Sequence, residues 1–359
     1  MSALLATSLF VGSAQALPIG SDPGAPDRSA TTRTSDLVAD ASRGWFRREW
    51  DDYKARFVST EGRVIDNANA GVSHSEGQGY ALLLAEAAGD QTSFATIWRW
   101  TAENLQKRPD ALLAWEWAPN KKALADVNNA TDGDILVAWA LGRAAKTFSR
   151  ADYSVAARRI AKAVAEKVLI NGTTGPLLLP GQAGFDAKSQ PDGPVVNLSY
   201  WVFPAFPELA ELVPEADWTR LRQRGLELIQ ASRFGPAGLP SNWIGMAAGH
   251  PAPAQNFPAD FGYDAIRIPL YLAWDPHLDA SVLTPFAQLA PAVIDLKTGT
   301  AREVMGGSGY RMVTALTKCA IAGVRLPADL MSSRDELYYP ESLRLLSILA
   351  IQERFPQCF

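Results

Sequence analysis

The feature that most constrains this chain is a helical period in its apolar residues, which runs through most of the 359 residues. Ten segments carry apolar side chains three and four residues apart, which is the spacing of one face of an α-helix. Strand-like alternation is scarce, so the pattern predicts an all-α fold. The segments are 77–88, 92–105, 132–148, 153–168, 198–212, 218–231, 263–273, 281–293, 309–322 and 340–354.

Long loops separate some of these segments. Residues 171–195, 234–260 and 295–308 are rich in Gly, Pro, Asn and aromatic residues. Ten to twelve helices in antiparallel pairs, with long loops on one side, predict a toroid of helical hairpins. No motif recurs at a fixed period, so a solenoid is not supported. Although the length permits two domains, we expect one domain over residues 37–359.

The first residues read as a targeting segment. Residues 1–16 are predicted to be a signal peptide, because an apolar, small-residue stretch ends in Ala14-Gln15-Ala16. The basic start of such a peptide is missing, and an apolar N-terminal helix is the alternative. Residues 17–36 are interpreted as a flexible leader. We therefore expect an exported protein, periplasmic or secreted, with no membrane span in the mature chain.

Composition excludes some classes of partner. The chain has 34 Lys and Arg against 38 Asp and Glu, and no basic run, which argues against nucleic acid. Three scattered histidines supply no metal-ligand spacing, and the sequence implies no cofactor. Eleven tryptophans, some in polar surroundings such as Ala114-Trp115-Glu116-Trp117, point to flat ligands such as sugar rings. Cys319 and Cys358 could form one disulfide, but two thiols alone do not decide it.

A first candidate motif is Ser73-His74-Ser75-Glu76-Gly77-Gln78-Gly79-Tyr80, directly before an apolar helix. Ser75 is predicted to be the N-cap, with Glu76 in the first turn, where the helix dipole favours its anion. A capped helix start does not explain Gly77 and Gly79, which each cost about 1 kcal/mol of helix propensity. Glycines permit close approach of another backbone or a ligand. For Glu76 to act as a general acid near neutral pH, its surroundings must raise its pKa against the effect of the helix dipole.

A second motif, Asn128-Asn129-Ala130-Thr131-Asp132-Gly133-Asp134-Ile135, places two carboxylates at the entrance of another helix. Thr131 or Asp132 is predicted to be its N-cap. A capped helix with an acidic first turn is the simplest interpretation. A calcium loop is not indicated, because the other ligands of such a loop are missing.

A third motif surrounds Asp264 and Arg267, in Phe261-Gly262-Tyr263-Asp264-Ala265-Ile266-Arg267-Ile268-Pro269-Leu270. Residues three apart on a helix share a face, so the two side chains are able to pair. Such a pair is either an ordinary ion pair or part of an active site, where the cation keeps Asp264 ionised as a base requires. The residues alone leave both readings open.

Together the motifs resemble glycoside hydrolase family 8, and within it the cellulases that accompany bacterial cellulose synthase. The resemblance covers nearly the whole mature chain. It rests on Ser75-Glu76-Gly77-Gln78, Ala130-Thr131-Asp132-Gly133-Asp134, Leu178-Leu179-Pro180-Gly181 with Gly184-Phe185, Asn197-Leu198-Ser199-Tyr200, and Tyr263-Asp264-Ala265-Ile266-Arg267. It implies an (α/α)6 barrel and an endo-acting β-1,4-glucanase, with a link to the cellulose synthase machinery.

The resemblance also implies roles for single residues. The chemistry is inverting, so two carboxyl groups about 6.5–9.5 Å apart flank the scissile bond. By position Glu76 is the acid and Asp264 the base, while Asp132 is catalytic through orienting and distorting the sugar. The implied substrate-binding residues are Trp115, Asn197, Tyr200, Tyr263 and Arg267. Trp139 and Trp218 lie on helical faces and are expected in the core.

Other functions stay open on the sequence alone. Within the family, xylan, lichenan and chitosan are alternatives to cellulose. Polysaccharide lyases also use helical toroids, but their eliminations employ Tyr, His or Arg, whereas all three motifs here carry carboxylates. A non-catalytic sugar-binding module would have no reason to keep Glu76 and Asp264 together.

Overall fold

Helices dominate residues 44–359, which is the part of the chain that the computed structural model describes. The predicted signal peptide 1–16 and leader 17–36 lie outside the described residues. The helices are α1 (44–57), α2 (Ser75–Ala87), α3 (Gln91–Asn104), α4 (Thr131–Thr147), α5 (Ala151–Lys167), α6 (Phe206–Leu212), α7 (Trp218–Ala231), α8 (Arg267–Trp274), α9 (Ala280–Leu283), α10 (Ser308–Ala322), α11 (Ala328–Ser332) and α12 (Tyr338–Arg354).

The even-numbered helices form an inner ring. Helix α2 contacts α4, α4 contacts α6, and α8 contacts both α10 and α12. The 3₁₀ turn Phe203–Ala205 joins α6 to α8, and α12 returns to α2. Helices α2, α4, α8 and α12 are buried around nearly their whole circumference, whereas α3, α5 and α7 bury one face. The fold is therefore the (α/α)6 barrel that the sequence predicts.

Short antiparallel strands, which the sequence does not predict, lie in the loops. They have two to four residues each, too few to show an alternating pattern. They form the sheets β1 (Ser73–His74), β2 (Glu116–Ala118), β3 (Ala123–Asp126); β4 (Leu169–Gly172), β5 (Gly175–Leu178); β6 (Val195–Val196), β7 (Ile244–Gly245), β8 (Ala252–Pro253); and β9 (Asp260–Phe261), β10 (Ala292–Asp295), β11 (Ala301–Val304). Pairing of β1 with β2 brings Trp115 beside the start of α2.

Three predicted helices differ from the observed ones. Segment 198–212 consists of two 3₁₀ turns followed by the short α6, and segment 281–293 holds only α9, a 3₁₀ turn and the start of β10. Pro204 and Pro285 lie within these interruptions, and proline has no backbone N–H to donate to a continuing helix. The helix predicted over 263–273 begins at Arg267, so Asp264 lies in the preceding turn.

Two tryptophans are buried as predicted, and the two cysteines form a disulfide. Trp139 and Trp218 are 4% and 1% exposed, which confirms them as core residues. Cys319 of α10 is bonded to Cys358 near the C-terminus, so the disulfide is present. Within residues 44–359, none of the helices combines the length and the apolar character that a membrane crossing needs.

Candidate active site

The three predicted acidic residues meet where inner helices begin. Glu76 and Asp132 are the second residues of α2 and α4. Asp264 lies three residues before Arg267, the first residue of α8. A helix start has free N–H groups and the positive end of the helix dipole, and both stabilise carboxylates that lie next to it.

Arg267 joins the three carboxylates and is only 2% exposed. Its Nη1 donates to Glu76 Oε1 at 2.6 Å and to Asp132 Oδ2 at 2.8 Å. Its Nη2 donates to Asp264 Oδ1 at 2.9 Å and to Ser199 Oγ at 3.0 Å. The Asp264–Arg267 pair that the sequence left ambiguous is thus both an ion pair and part of the acidic cluster.

The geometry limits the distance between the candidate acid and base. Glu76 Oε1 and Asp264 Oδ1 accept hydrogen bonds from the two Nη atoms of Arg267. The distance between these two oxygens is therefore at most the length of two hydrogen bonds plus the width of one guanidinium group. Glycosidase carboxyl pairs lie about 5–9.5 Å apart. The side chains of Glu76 and Asp264 are 22% and 31% exposed, whereas that of Asp132 is 1% exposed. A substrate therefore has access to Glu76 and Asp264, and Asp132 lies behind them.

Burial and the crowding of like charges favour the protonated forms of Asp132 and Asp264 in this site. Burial, and then the charge of Glu76, raises the pKa of Asp132 to about 7, against the opposing effect of Arg267. Burial also raises the pKa of Asp264, while the charge of Arg267 counteracts the shift. Asp132 therefore binds a proton at a higher pH than an ordinary aspartate does, because it is buried beside another carboxylate.

The helix starts are not capped as predicted. Ser75 is the first residue of α2, and the N-cap is His74, whose side chain makes no capping bond. The N-cap of α4 is Ala130, while the hydroxyl of Thr131 donates to Leu179 O at 2.7 Å. The side chains of Thr131 and Asp132 serve tertiary contacts instead, so the N-cap predictions were wrong.

Close approach explains the glycines of the motifs. A Cβ added at Gly133 would lie 2.1 Å from Ser75 Oγ and 2.7 Å from Glu76 N. One added at Gly79 would lie 2.6 Å from Leu136 Cβ. Helices α2 and α4 therefore touch through Gly133 and Gly79, and at Gly79 this is the close approach that the sequence predicts.

Tyr80 and Ser199 contact the acidic cluster, although the sequence indicates no role for either residue within its motif. Tyr80 is fully buried and donates its phenol proton to Glu76 Oε1 at 2.5 Å. Ser199 accepts from Arg267. The available signal was the spacing of Tyr80, because a residue four positions after Glu76 lies on the same helix face.

Trp115 lies half-buried beside the acid. The His74 ring is parallel to the Trp115 ring within 2°, with centroids 5.9 Å apart. The indole N–H donates to Asp126 Oδ2 at 3.0 Å. Trp115 N donates to Asn128 O and Ser75 N donates to Trp115 O, so the backbone of Trp115 is fixed to the starts of both α2 and α4.

A second aromatic wall begins at Tyr200. Its ring packs edge-on against Trp243, at 6.3 Å between centroids. Trp243 stacks between Phe185 and Phe257 at 5.6 and 4.6 Å. These contacts connect the segment between α5 and α6, which carries Phe185 and Tyr200, with the segment between α7 and α8, which carries Trp243 and Phe257. That Tyr200 binds a sugar stays a prediction.

Asn197 and Tyr263 differ in what they offer a ligand. Asn197 is fully buried and its Oδ1 accepts from Ser199 N and Oγ, so it supports Ser199 from inside. Tyr263 is 40% exposed and donates to Glu303 Oε1 at 2.5 Å. Its carbonyl accepts from the Tyr339 hydroxyl at 2.6 Å, which anchors the turn that carries Asp264.

Known proteins resemble this chain over most of its length. Residues 28–353 match the family described as glycosyl hydrolases family 8. A probable endoglucanase of Novacetimonas hansenii is 37% identical over 341 residues, covering 92% of this chain and 96% of that protein. An endoglucanase of Cellulomonas uda is 38% identical over 247 residues, 68% of this chain and 67% of that one. The solved structure of endo-beta-1,4-glucanase CMCax from Acetobacter xylinum superposes with a TM-score of 0.78 and 36% identity, over 86% of this chain and 98% of that one.

Proposed function

Since this chain belongs to family 8 of the glycosyl hydrolases and is a glycoside hydrolase, we propose that it is an endo-acting β-1,4-glucanase that cleaves cellulose-like glucan with inversion. The observation that carries the proposal is the pair Glu76 and Asp264. Both are accessible, and both are held by one buried arginine. The relatives described as endoglucanases support the substrate class and the endo action.

In the proposed mechanism Glu76 gives its proton to the glycosidic oxygen as the bond from that oxygen to the anomeric carbon breaks. Asp264 removes a proton from a water that attacks the same carbon from the opposite face. The new bond joins the water oxygen to the anomeric carbon, whose configuration inverts. Arg267 favours the ionised form of Asp264, which a base needs.

Asp132 is proposed to act through Arg267 in the resting enzyme. Its two oxygens accept from Gly133 N at 2.8 Å and from Arg267. With 1% of its side chain exposed, Asp132 is covered in the resting enzyme. The role expected from the resemblance, orientation and distortion of the sugar at the cleavage point, therefore requires that Asp132 become accessible when substrate binds.

The aromatic residues next to the acidic cluster support a chain-like sugar substrate. Trp115 stacks on His74 beside the start of α2, whereas Tyr200 contacts both Arg267 and Trp243. Aromatic rings supply large apolar contact areas for pyranose faces. Binding area at more than one place next to the cluster suits a polymer that is cut internally.

Export to the periplasm or the medium is also proposed. The disulfide between Cys319 and Cys358 supports it, because disulfides persist in oxidising compartments. The signal peptide and the association with the cellulose synthase machinery stay predictions. Mass spectrometry of the mature N-terminus and co-purification with the synthase test them.

The decisive experiment is proton NMR of the product anomers while the purified protein cleaves a cello-oligosaccharide. Initial α-anomer from the β-linked substrate supports both β-glucanase activity and inversion. Initial β-anomer contradicts inversion and moves Asp132 into the role of nucleophile. Absence of cleavage redirects the assay to xylan, lichenan and chitosan, in that order.

A further inference from the structure

The two oxygens of the Glu76 carboxyl group have different surroundings. Oε1 receives hydrogen bonds from Tyr80 at 2.5 Å and from Arg267 at 2.6 Å. Among the described residues, Oε2 has no hydrogen-bond partner. A carboxyl oxygen that already accepts two strong donors has little capacity to bind a proton as well.

The surroundings of Tyr80 keep its phenol protonated, so that it remains a hydrogen-bond donor to Glu76. It lies four residues after Glu76 in α2 and is completely buried. Burial, and then the charge of Glu76, raises the pKa of the Tyr80 phenol well above its usual value, so the phenol stays protonated at working pH. Its oxygen lies 3.2 Å from the Tyr271 hydroxyl. Because the Tyr80 proton points to Glu76, Tyr271 must be the donor of that second bond.

We propose that Tyr80 is a positioning residue for the acid: together with Arg267 it occupies Oε1 of Glu76, which places the catalytic proton on Oε2 and turns that oxygen toward the cleft. The proposal rests on the proposed function, in which Glu76 is the general acid. Tyr80 itself touches no substrate, since it is buried behind Glu76.

The step in which Tyr80 matters is protonation of the leaving group. The Oε2–H bond breaks as the proton moves to the glycosidic oxygen, and the electron pair of that O–H bond remains on the carboxylate. The resulting anion is stabilised by the donors on Oε1, which are in place before the reaction. Asp264 gains the proton of the attacking water. After each turnover Asp264 releases that proton to solvent, and solvent returns a proton to Glu76.

The test compares two substrates whose leaving groups differ in their need for an acid. One is cellopentaose, and the other is 2,4-dinitrophenyl β-cellotrioside, whose leaving group departs without protonation. Tyr80→Phe removes the hydroxyl and keeps the ring. We expect its kcat on cellopentaose to fall about tenfold or more, which is part of the roughly 10²–10⁴-fold that a general acid contributes. On the dinitrophenyl substrate we expect kcat within about twofold of the wild type, since that leaving group needs no acid.

Two further variants make the outcome decisive. Tyr271→Phe removes the donor to Tyr80 without touching Glu76, and we expect a smaller loss on cellopentaose than for Tyr80→Phe. Glu76→Gln serves as the benchmark for loss of the acid. Were Glu76→Gln equally impaired on both substrates, the role of Glu76 in the proposed function would fail. With that benchmark intact, equal losses on both substrates for Tyr80→Phe, or no loss at all, would overturn the role of Tyr80.

Discussion

The guanidinium group of Arg267 lies over the aromatic ring of Tyr200, with the guanidinium carbon 5.5 Å from the ring centroid. A cation over an aromatic face is attracted by the ring, most strongly when both are desolvated. The edges of the same guanidinium hold Glu76, Asp132 and Asp264. Tyr200 therefore packs against a face of the guanidinium whose edges bind the carboxylates, and this contact helps to offset the cost of burying the charge.

Replacing Arg267 by methionine should both destabilise and inactivate the protein. Arg267→Met leaves Asp132 buried without its cation, and breaking a buried pair in this way costs about 3–5 kcal/mol. The free energy of unfolding from urea titration at neutral pH measures it. The matched control is Arg150→Met, whose partner Asp152 is exposed, and no measurable change is expected there. Unchanged stability of Arg267→Met would contradict the central role of this residue.

Loss of either accessible carboxylate should abolish turnover without unfolding the protein. Glu76→Gln and Asp264→Asn are each expected to lower kcat on cello-oligosaccharides by about 10²–10⁴-fold, the usual contribution of one acid or base. Glu166→Gln, which removes an exposed charge paired with Lys162 on α5, is the control and should behave as the wild type. Near-normal activity of a folded Glu76→Gln would remove Glu76 from the mechanism.

Helical periodicity carried most of the information about the fold. It located α2 to α5, α7, α10 and α12, because these helices are long enough to show several turns of the pattern. It failed at 198–212, where Pro204 interrupts the helix, and at the short strands. The motifs found the acidic cluster, but they could not assign Tyr80 and Ser199 to it. Those roles depend on how α2, α8 and the loop before α6 meet in space.

Trp115 should contribute to substrate binding more than to chemistry. Its indole N–H is already used by Asp126, so the ring offers a sugar contact area rather than a hydrogen bond. An aromatic contact is worth about 0.5–1.5 kcal/mol beyond the area it buries, so Trp115→Ala should raise KM for cellopentaose about two- to tenfold. Its kcat should change less than its KM. Trp115→Phe keeps an aromatic face and should restore most of the affinity, while a selective loss of kcat would argue against a binding role.

The disulfide should contribute measurably to stability. It closes a loop with a sequence separation of 39 residues, and a disulfide is typically worth about 2–4 kcal/mol. Cys319→Ser with Cys358→Ser should therefore lower Tm, as should dithiothreitol added to the wild type. Dithiothreitol should leave the double variant unchanged, and this comparison separates loss of the bond from other effects of the reductant. Equal Tm values for oxidised wild type and double variant would contradict the prediction.

Asp132 should make stability depend on pH in a defined direction. Its pKa is raised from 3.8 to about 7 in the folded protein, so the folded state binds more protons than the unfolded state between these values. Stability contributed by this group is therefore fully present below about pH 3.8 and is lost as the pH rises to about 7. Asp134, with a pKa raised to about 8 by burial, acts in the same direction.

Comparison of the wild type with Asp132→Asn measures mainly the contribution of Asp132, because Asp134 is present in both proteins and the charge of Asp132 is only a minor cause of its raised pKa. Urea titrations at pH 5 and pH 7.5 give the free energy of unfolding of each. The wild type should lose more stability than the variant between these pH values, by more than about 1 kcal/mol, since one unit of pKa shift is worth about 1.4 kcal/mol. An equal change in both proteins would mean that Asp132 is ionised in the folded state across this range, with Arg267 outweighing its burial and the charge of Glu76.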